Sequence, residues 1–172
     1  MARAFWIAPL LVCACSDGDD GTSDSIVPSA YLTFTLSEPP DDHGCFAAAP
    51  TAYHVGSESD PLTDGKDVVS CTIHSTEKDL WLDGNLQGVE DGGANVVFMI
   101  STEAELAITM ATDLTGTLEL DPATAEVCAA YATTIIGDAA FVDFECTLLV
   151  DPSDPTNGCG VSGSVSFENC EM

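Results

Sequence analysis

Positive charge is what this sequence most lacks. Only 3 lysines and arginines stand against 29 aspartates and glutamates in 172 residues, a formal net charge of −26. A nucleic-acid binder neutralises phosphates with cations, and Arg3, Lys66 and Lys78 are the whole supply, which argues against a nucleic-acid partner. Long apolar runs are missing too. The first one, Ala4 to Val12, is far too short to cross about 30 Å of hydrocarbon at roughly 1.5 Å per residue. Closely spaced cysteine pairs are absent after Cys15, and the histidines are His43, His54 and His74, so a zinc ribbon or finger lacks its ligand pairs. No nucleophile elbow, phosphate-binding glycine loop, H-E-x-x-H or G-x-G-x-x-G occurs. No catalytic residue is assigned, and the chain reads as non-enzymatic.

What is present argues for a folded domain. Apolar residues make up 45%, too many for a disordered chain in spite of the charge, and the length suits one domain. Eight cysteines suggest an oxidising compartment, where disulfides persist. The N-terminus has one cation, Arg3, then the apolar stretch Ala4 to Val12, then the polar run Ser16-Asp17-Gly18-Asp19-Asp20-Gly21. That is the layout of a secretory leader.

Within that leader, Val12-Cys13-Ala14-Cys15 resembles the lipobox of bacterial lipoproteins, an aliphatic residue and two small ones before a cysteine. The resemblance implies that residues 1–14 form a signal peptide, removed by cleavage before Cys15. Cys15 would then carry a diacylglycerol on its sulfur and a further acyl chain on its new amino group. Cys13 departs from the more usual Ser or Ala at its place. One acyl chain, at ~0.8 kcal/mol per buried CH₂, holds a protein to a membrane only marginally, whereas two or more anchor it stably. Ser16 follows the cysteine where an Asp often signals inner-membrane retention in such lipoproteins, so the resemblance points to the outer membrane of a bacterial cell envelope. The architecture expected is that of small all-β envelope lipoproteins, with a protein or glycan partner left open.

Residues 15–28 read as an acidic flexible tether. They have no hydrophobic periodicity and cannot offset the entropy of ordering. As a coil they span on the order of 20 Å. Their acids lack the Glu at loop position 12 that an EF-hand requires.

From residue 29 to 172 the dominant period is two. Leu32, Phe34 and Leu36 alternate with Tyr31, Thr33 and Thr35; Val69, Cys71 and Ile73 with Val68, Ser70 and Thr72. Leu80, Leu82, Gly84 and Leu86 fall on one face, as do Leu106, Ile108 and Met110, and then Leu114, Gly116, Leu118 and Leu120. Val142, Phe144, Cys146 and Leu148 share a face, and so do Val161, Gly163, Val165 and Phe167. Such alternation predicts strands with one buried and one wet face. The continuous run Asn95 to Ser101 predicts a strand buried on both. About nine strands with short polar turns specify an all-β, antiparallel β-sandwich, jelly-roll or Ig-like, with a closed up-and-down β-barrel as the alternative. Asp121 to Ala132 is compatible with one short helix; the preferred reading is a turn at Asp121–Ala125 and then a strand that hairpins through Gly137-Asp138. Pro39 to Gly65 shows no clean period and reads as a long surface excursion stapled by Cys45.

With Cys13 removed in the leader and Cys15 lipidated, Cys45, Cys71, Cys128, Cys146, Cys159 and Cys170 remain as disulfide candidates, an even set with fifteen possible pairings. Cys128 and Cys146 face each other across the expected hairpin. Cys45 with Cys71 would clamp the long loop, but elimination then leaves Cys159 with Cys170. If Val161–Asn169 is one strand, those two lie about 36 Å apart, and a disulfide needs Cα atoms within about 7 Å. Either the last strand breaks near Gly163 or an earlier pair is wrong.

Two binding chemistries remain as alternatives. Asp151, Asp154 and Asn157 offer three oxygen ligands in a turn-rich loop, a partial calcium site, although such residues also make ordinary loops. Trp81, Tyr53 and Tyr31 are possible stacking platforms for a carbohydrate. The acidity itself suits screening by high salt or divalent cations, or steering of a cationic partner.

Overall fold

The computed structural model describes residues 27–39, 44–45, 51–63, 67–77, 79–103, 106–112, 116–119 and 128–172. Eleven strands are described, and no helix occurs among these residues. They are β1 (Ser29–Ser37), β2 (Thr51–Val55), β3 (Leu62–Thr63), β4 (Val68–Ser75), β5 (Leu80–Val89), β6 (Asn95–Ser101), β7 (Ala107–Thr112), β8 (Gly116–Glu119), β9 (Cys128–Ile136), β10 (Ala139–Asp151) and β11 (Asp154–Glu168). The first sheet runs β2-β1-β11-β10-β9, with β3 continuing the β2 edge along β1; the second is the meander β4-β5-β6-β7-β8. All these pairings are antiparallel. The fold is an antiparallel β-sandwich, and the sheets do not close into the alternative barrel.

The period-two pattern is what builds it. Leu32, Leu36, Val69, Leu82, Leu86, Phe98, Ile108, Phe144, Val161 and Phe167 all lie on the inner faces and are buried. Phe98 of the second sheet and Phe144 of the first meet with ring centroids 5.4 Å apart, a tilted aromatic pair in the middle of the core. The sheets join at a corner in β10. Along Ala139–Cys146 this strand pairs with β9, and at Val150 it pairs with Glu119 of β8. Between the two, its register against β11 shifts from Cys146 to Leu149. Such an irregularity lets one strand pass from one sheet to another. It also moves the buried side chain by one residue: Leu149, not the expected Leu148, is fully buried.

Close backbone approach fixes one glycine. A Cβ at Gly163 of β11 would lie 2.1 Å from the Thr33 carbonyl oxygen and 2.8 Å from Phe34 Cα, both on the paired β1. β11 passes through that point unbroken.

Several expectations change. Asn95–Ser101 is buried on one side only: Val96, Phe98 and Ile100 face the core, while Met99 is 45% exposed. Among the described residues no layer covers the outer face there, and layering, not composition, decides burial. The Pro39–Gly65 excursion holds β2 and β3, which accounts for the two strands beyond nine. β2 is five residues long with only Tyr53 and Val55 turned inward, too short for periodicity to stand out. Leu80 shares a parity with the core residues but lies at a strand end and is 52% exposed. β11 starts at Asp154, well before Val161. The part of the helix-compatible segment that is described, Cys128–Ala132, lies in strand β9; residues 121–127 lie outside the described residues.

The three disulfides are Cys45–Cys159, Cys71–Cys170 and Cys128–Cys146, with Cα separations of 4.9, 4.8 and 3.9 Å. The cross-hairpin pair is as expected. Cys45–Cys71 is not formed, and that removes the contradiction over Cys159 and Cys170. Gly44 runs parallel beside β11, where its amide donates to Thr156 O (3.0 Å) and its carbonyl accepts from Gly158 N (3.1 Å). That seats Cys45 against Cys159. Past β11 the chain crosses to the second sheet: Glu171 bonds the backbone of Cys71 and Ile73 at the β4 edge, at 3.0 and 2.7 Å, which sets Cys170 beside Cys71. No short-range pattern announces either contact.

The acidic turn after β5 is closed by its first residue. The Glu90 carboxylate, 7% exposed, accepts from Gly92 N at 2.7 Å and Ala94 N at 3.0 Å. The Ala94 and then the Gly92 amide bonds lower its pKa below the ordinary 4.5, against a smaller opposing effect of burial.

Candidate functional site

One concavity among the described residues is a cleft of about 500 Å³ at one edge of the sandwich, within the size range of small-molecule sites. Its floor is the outer face of the first sheet. Tyr31 and Thr33 alternate with core residues on β1, and the register sets His54 of β2 beside Thr33. One wall is the excursion between β2 and β3, the segment 56–61. It starts at Gly56, whose φ of 67° suits glycine and whose missing Cβ would meet Leu62 N at 3.1 Å. Ser57 and Asp60 then exchange backbone bonds, Ser57 N to Asp60 O at 3.0 Å and Asp60 N to Ser57 O at 3.2 Å, closing a tight turn that presents Glu58 and Asp60. The opposite wall comes from the second sheet, with Asp67, Val89 and Asp91. It is held in place by an amide bond from Asp91 N to His54 O (3.1 Å) and by the Val55–Glu90 bridge. Four carboxylates, one imidazole and one phenol therefore face one cleft.

The aromatic candidates separate. Tyr31 lines the cleft. Tyr53 stacks on the buried Phe34 at 5.1 Å between centroids and serves the core. Trp81 lies half-buried on the outer face of the second sheet, stacked on His74 at 4.9 Å. His74 Nε2 is in turn 2.9 Å from Asp83 Oδ2. Beside them a shallow groove of about 200 Å³ is lined by Thr72, Asp83, Asn85 and Met99.

Asp151, Asp154 and Asn157 come together at the β10–β11 turn. Asp151 Oδ1 accepts from the amide and hydroxyl of Ser153, at 2.7 and 2.6 Å. Asp154 Oδ1 accepts from Thr156 N and Oγ1, and its Oδ2 from Asn157 Nδ2 at 3.1 Å. The Ser153 hydroxyl, and then its amide, lowers the Asp151 pKa below the ordinary 3.8. These oxygens cap their own turn, and among the described residues no group of three or more His, Cys, Asp or Glu converges as a metal site.

His54, Glu58 and Asp60 were not singled out in the sequence because they sit in the segment without a period. The alternation of Tyr53 and Val55 around His54 was the available signal. The lipobox, Cys15 and the tether up to residue 26 lie outside the described residues; Val27, at the start of the described chain, accepts from Asn169 Nδ2 at 3.2 Å. Compared with known proteins, the chain matches no family model, no curated protein and no solved structure.

Proposed function

We propose that this chain is a lipid-anchored protein of the bacterial cell envelope. In this reading its disulfide-stapled β-sandwich is displayed on an acidic tether and acts by binding, without catalysis. The observation that carries the reading is the cysteine arithmetic. All six cysteines of the β domain are bonded to one another, which leaves Cys13 and Cys15 of the lipobox-like run for other chemistry. Three disulfides also fit export to an oxidising compartment. Outer-membrane placement rests on Ser16 alone.

Mass spectrometry of the full chain taken from membranes, with and without reduction, tests this. The expected species begins at Cys15, carries a diacylglycerol and an acyl chain there, and gains six thiols on reduction. Cys15→Ser is expected to leave the leader uncleaved and acylation absent. A water-soluble cytoplasmic species with free thiols and an intact leader would overturn the reading.

A carbohydrate-binding module is the second reading, favoured by Trp81 beside the polar groove of Thr72, Asp83 and Asn85. Glycan-array hits that vanish in Trp81→Ala would support it, and an array without hits would remove it.

A further inference from the structure

We propose that β9 is a docking edge for an extended basic segment of another protein, which joins the first sheet as a further strand. Its apolar side chains would turn toward the core and its cationic ones outward. The inference goes beyond the lipid anchor and does not depend on it. It starts from how the edges of the two sheets are closed. Along β2, Asp91 N donates to His54 O and Val55 bridges Glu90; along β4, Glu171 bonds Cys71 and Ile73. β8 pairs with β7 on one side and meets β10 at Val150 on the other. β9 pairs with β10, and among the described residues no backbone bond or bridge falls on its other side.

The hairpin dictates what that edge offers. Gly137, at φ 62°, and Asp138 form its two-residue turn, which closes on Ile136 and Ala139. Bonded and non-bonded pairs alternate from there, so Thr133 and Ile135, opposite Val142 and Ala140, turn their N–H and C=O groups away from β10. Free edges are ordinarily blunted by charge, proline, a bulge or short length. β9 has a bulge at Tyr131, where the register shifts, but residues 132–136 beyond it carry neither charge nor proline. Thr133 is exposed although it shares a face with the buried Val142. The space between the layers is therefore open at this edge, and an apolar side chain on an added strand would cover it. Main-chain bonds supply affinity in such strand addition, and alternate side chains supply specificity.

Charge identifies the occupant. A second copy of the chain would bring another −26 to the contact and be repelled, whereas a basic strand is attracted. The nearest acids stand where such a strand reaches them. Asp143 and Glu145 of β10, both exposed, pair with Ala132 and Ala129 of β9. A strand beside β9 runs two spacings from β10, about 9.6 Å. The intervening alanines are small enough for a Lys or Arg side chain to cross them and meet a carboxylate.

The probe is an acetylated, amidated heptapeptide, Val-Lys-Val-Lys-Val-Lys-Val, added to the full-length chain in neutral detergent at about 0.15 M salt, where diffuse attraction is screened. Saturable binding of one peptide per chain is expected, and the Thr133 and Ile135 amides, fast to exchange in the free chain, should become protected. The same peptide N-methylated at alternate residues keeps its charge but loses its donors, and should bind at least about tenfold more weakly. Thr133→Pro removes an outward N–H while sparing the bonds to β10 and should cause a similar loss, with near-UV circular dichroism as the check on folding. Asp143→Asn with Glu145→Gln should weaken binding about threefold to tenfold and leave amide protection at saturation unchanged. Equal affinity for the N-methylated peptide, or binding without protection at Thr133 and Ile135, would mean charge attraction alone and overturn the proposal. An unchanged affinity in the Asp143/Glu145 variant overturns the basic partner. Slow exchange of the two amides in the free chain also overturns it, because the edge is then already covered, by a second copy if protection rises with chain concentration.

Discussion

The two sheets are held by different means. The second, β4 to β8, is a meander in which every strand pairs with its sequence neighbour, so each closure spans a short loop. The first brings β1 beside β11 and pairs Ser29 with Glu168, a contact between the two ends of the domain. Closing long loops costs more entropy and comes later in folding. The disulfides follow that difference. Cys45–Cys159 and Cys128–Cys146 lie in the first sheet, and Cys71–Cys170 ties the chain beyond its last strand to the β4 edge of the second. Among the described strands, no bond joins two members of the meander. Two of the three covalent links stand where the topology is non-local and the third spans a hairpin of the first sheet, while the meander strands are held to one another by pairing and apolar burial.

The sharpest way to break this comparison is to remove disulfides of different span. Cys71→Ala with Cys170→Ala opens a separation of 99 residues, for which loop closure predicts a loss of about 4–5 kcal/mol. Cys128→Ala with Cys146→Ala opens one of 18 and should cost about 3 kcal/mol. Urea midpoints of the two variants measure the gap. Equal losses would mean that the local cross-hairpin link matters as much as the long-range one. Hydrogen exchange after mild reduction sharpens the point: amides of β1 and β11 should lose protection before those of β5 to β7.

Next in size is Gly163→Ala. Its new methyl would meet the Thr33 carbonyl oxygen and Phe34 Cα of β1, and a backbone neighbour cannot swing aside as a side-chain end does. Relief requires parting β1 from β11, at an expected cost of about 3 kcal/mol. Thermal unfolding of the variant reads this directly. A loss confined to a few tenths of a kcal/mol would show that the long-range seam carries little of the stability.

The meander was the legible half of the molecule. Leu82 and Leu86, then Ile108 and Met110 alternate cleanly, and the turns between strands are short and polar, so strand and order follow from local pattern, whereas the unbroken apolar run of β6 revealed the strand but not its one-sided burial. The first sheet gave up β1, β9, β10 and β11 but hid β2 and β3, and apart from the β9–β10 hairpin it did not reveal which strands are neighbours. Nothing in Leu32-Thr33-Phe34 says that the partner is Val165-Ser164-Gly163, because period two fixes a face and not a register partner. The same limit hid Cys45–Cys159 and Cys71–Cys170 while leaving Cys128–Cys146 readable across a two-residue turn. The cleft shows both cases at once. Tyr31 stood out as an outward aromatic on a clear strand, whereas Glu58, Asp60, Asp67 and Asp91 resemble every other loop acid until the two sheets bring them together.

The smallest effect concerns how a chain so acidic spends one carboxylate inside the meander. Glu90 closes the β5–β6 turn through two backbone amides, and those bonds hold its folded pKa below the ordinary 4.5. A depressed carboxylate stabilises the fold fully above its unfolded pKa and loses that contribution as pH falls through the folded value. General self-repulsion at a net charge of −26 changes with pH as well, and in wild type and variant alike. The useful quantity is therefore a difference. Glu90→Gln keeps one acceptor for the two amides and should cost about 1–2 kcal/mol at neutral pH. The gap between wild-type and variant melting temperatures should stay constant down to about pH 4.5 and narrow below it. A gap that widens on acidification, or one that ignores pH, would show that the turn is held by its backbone alone.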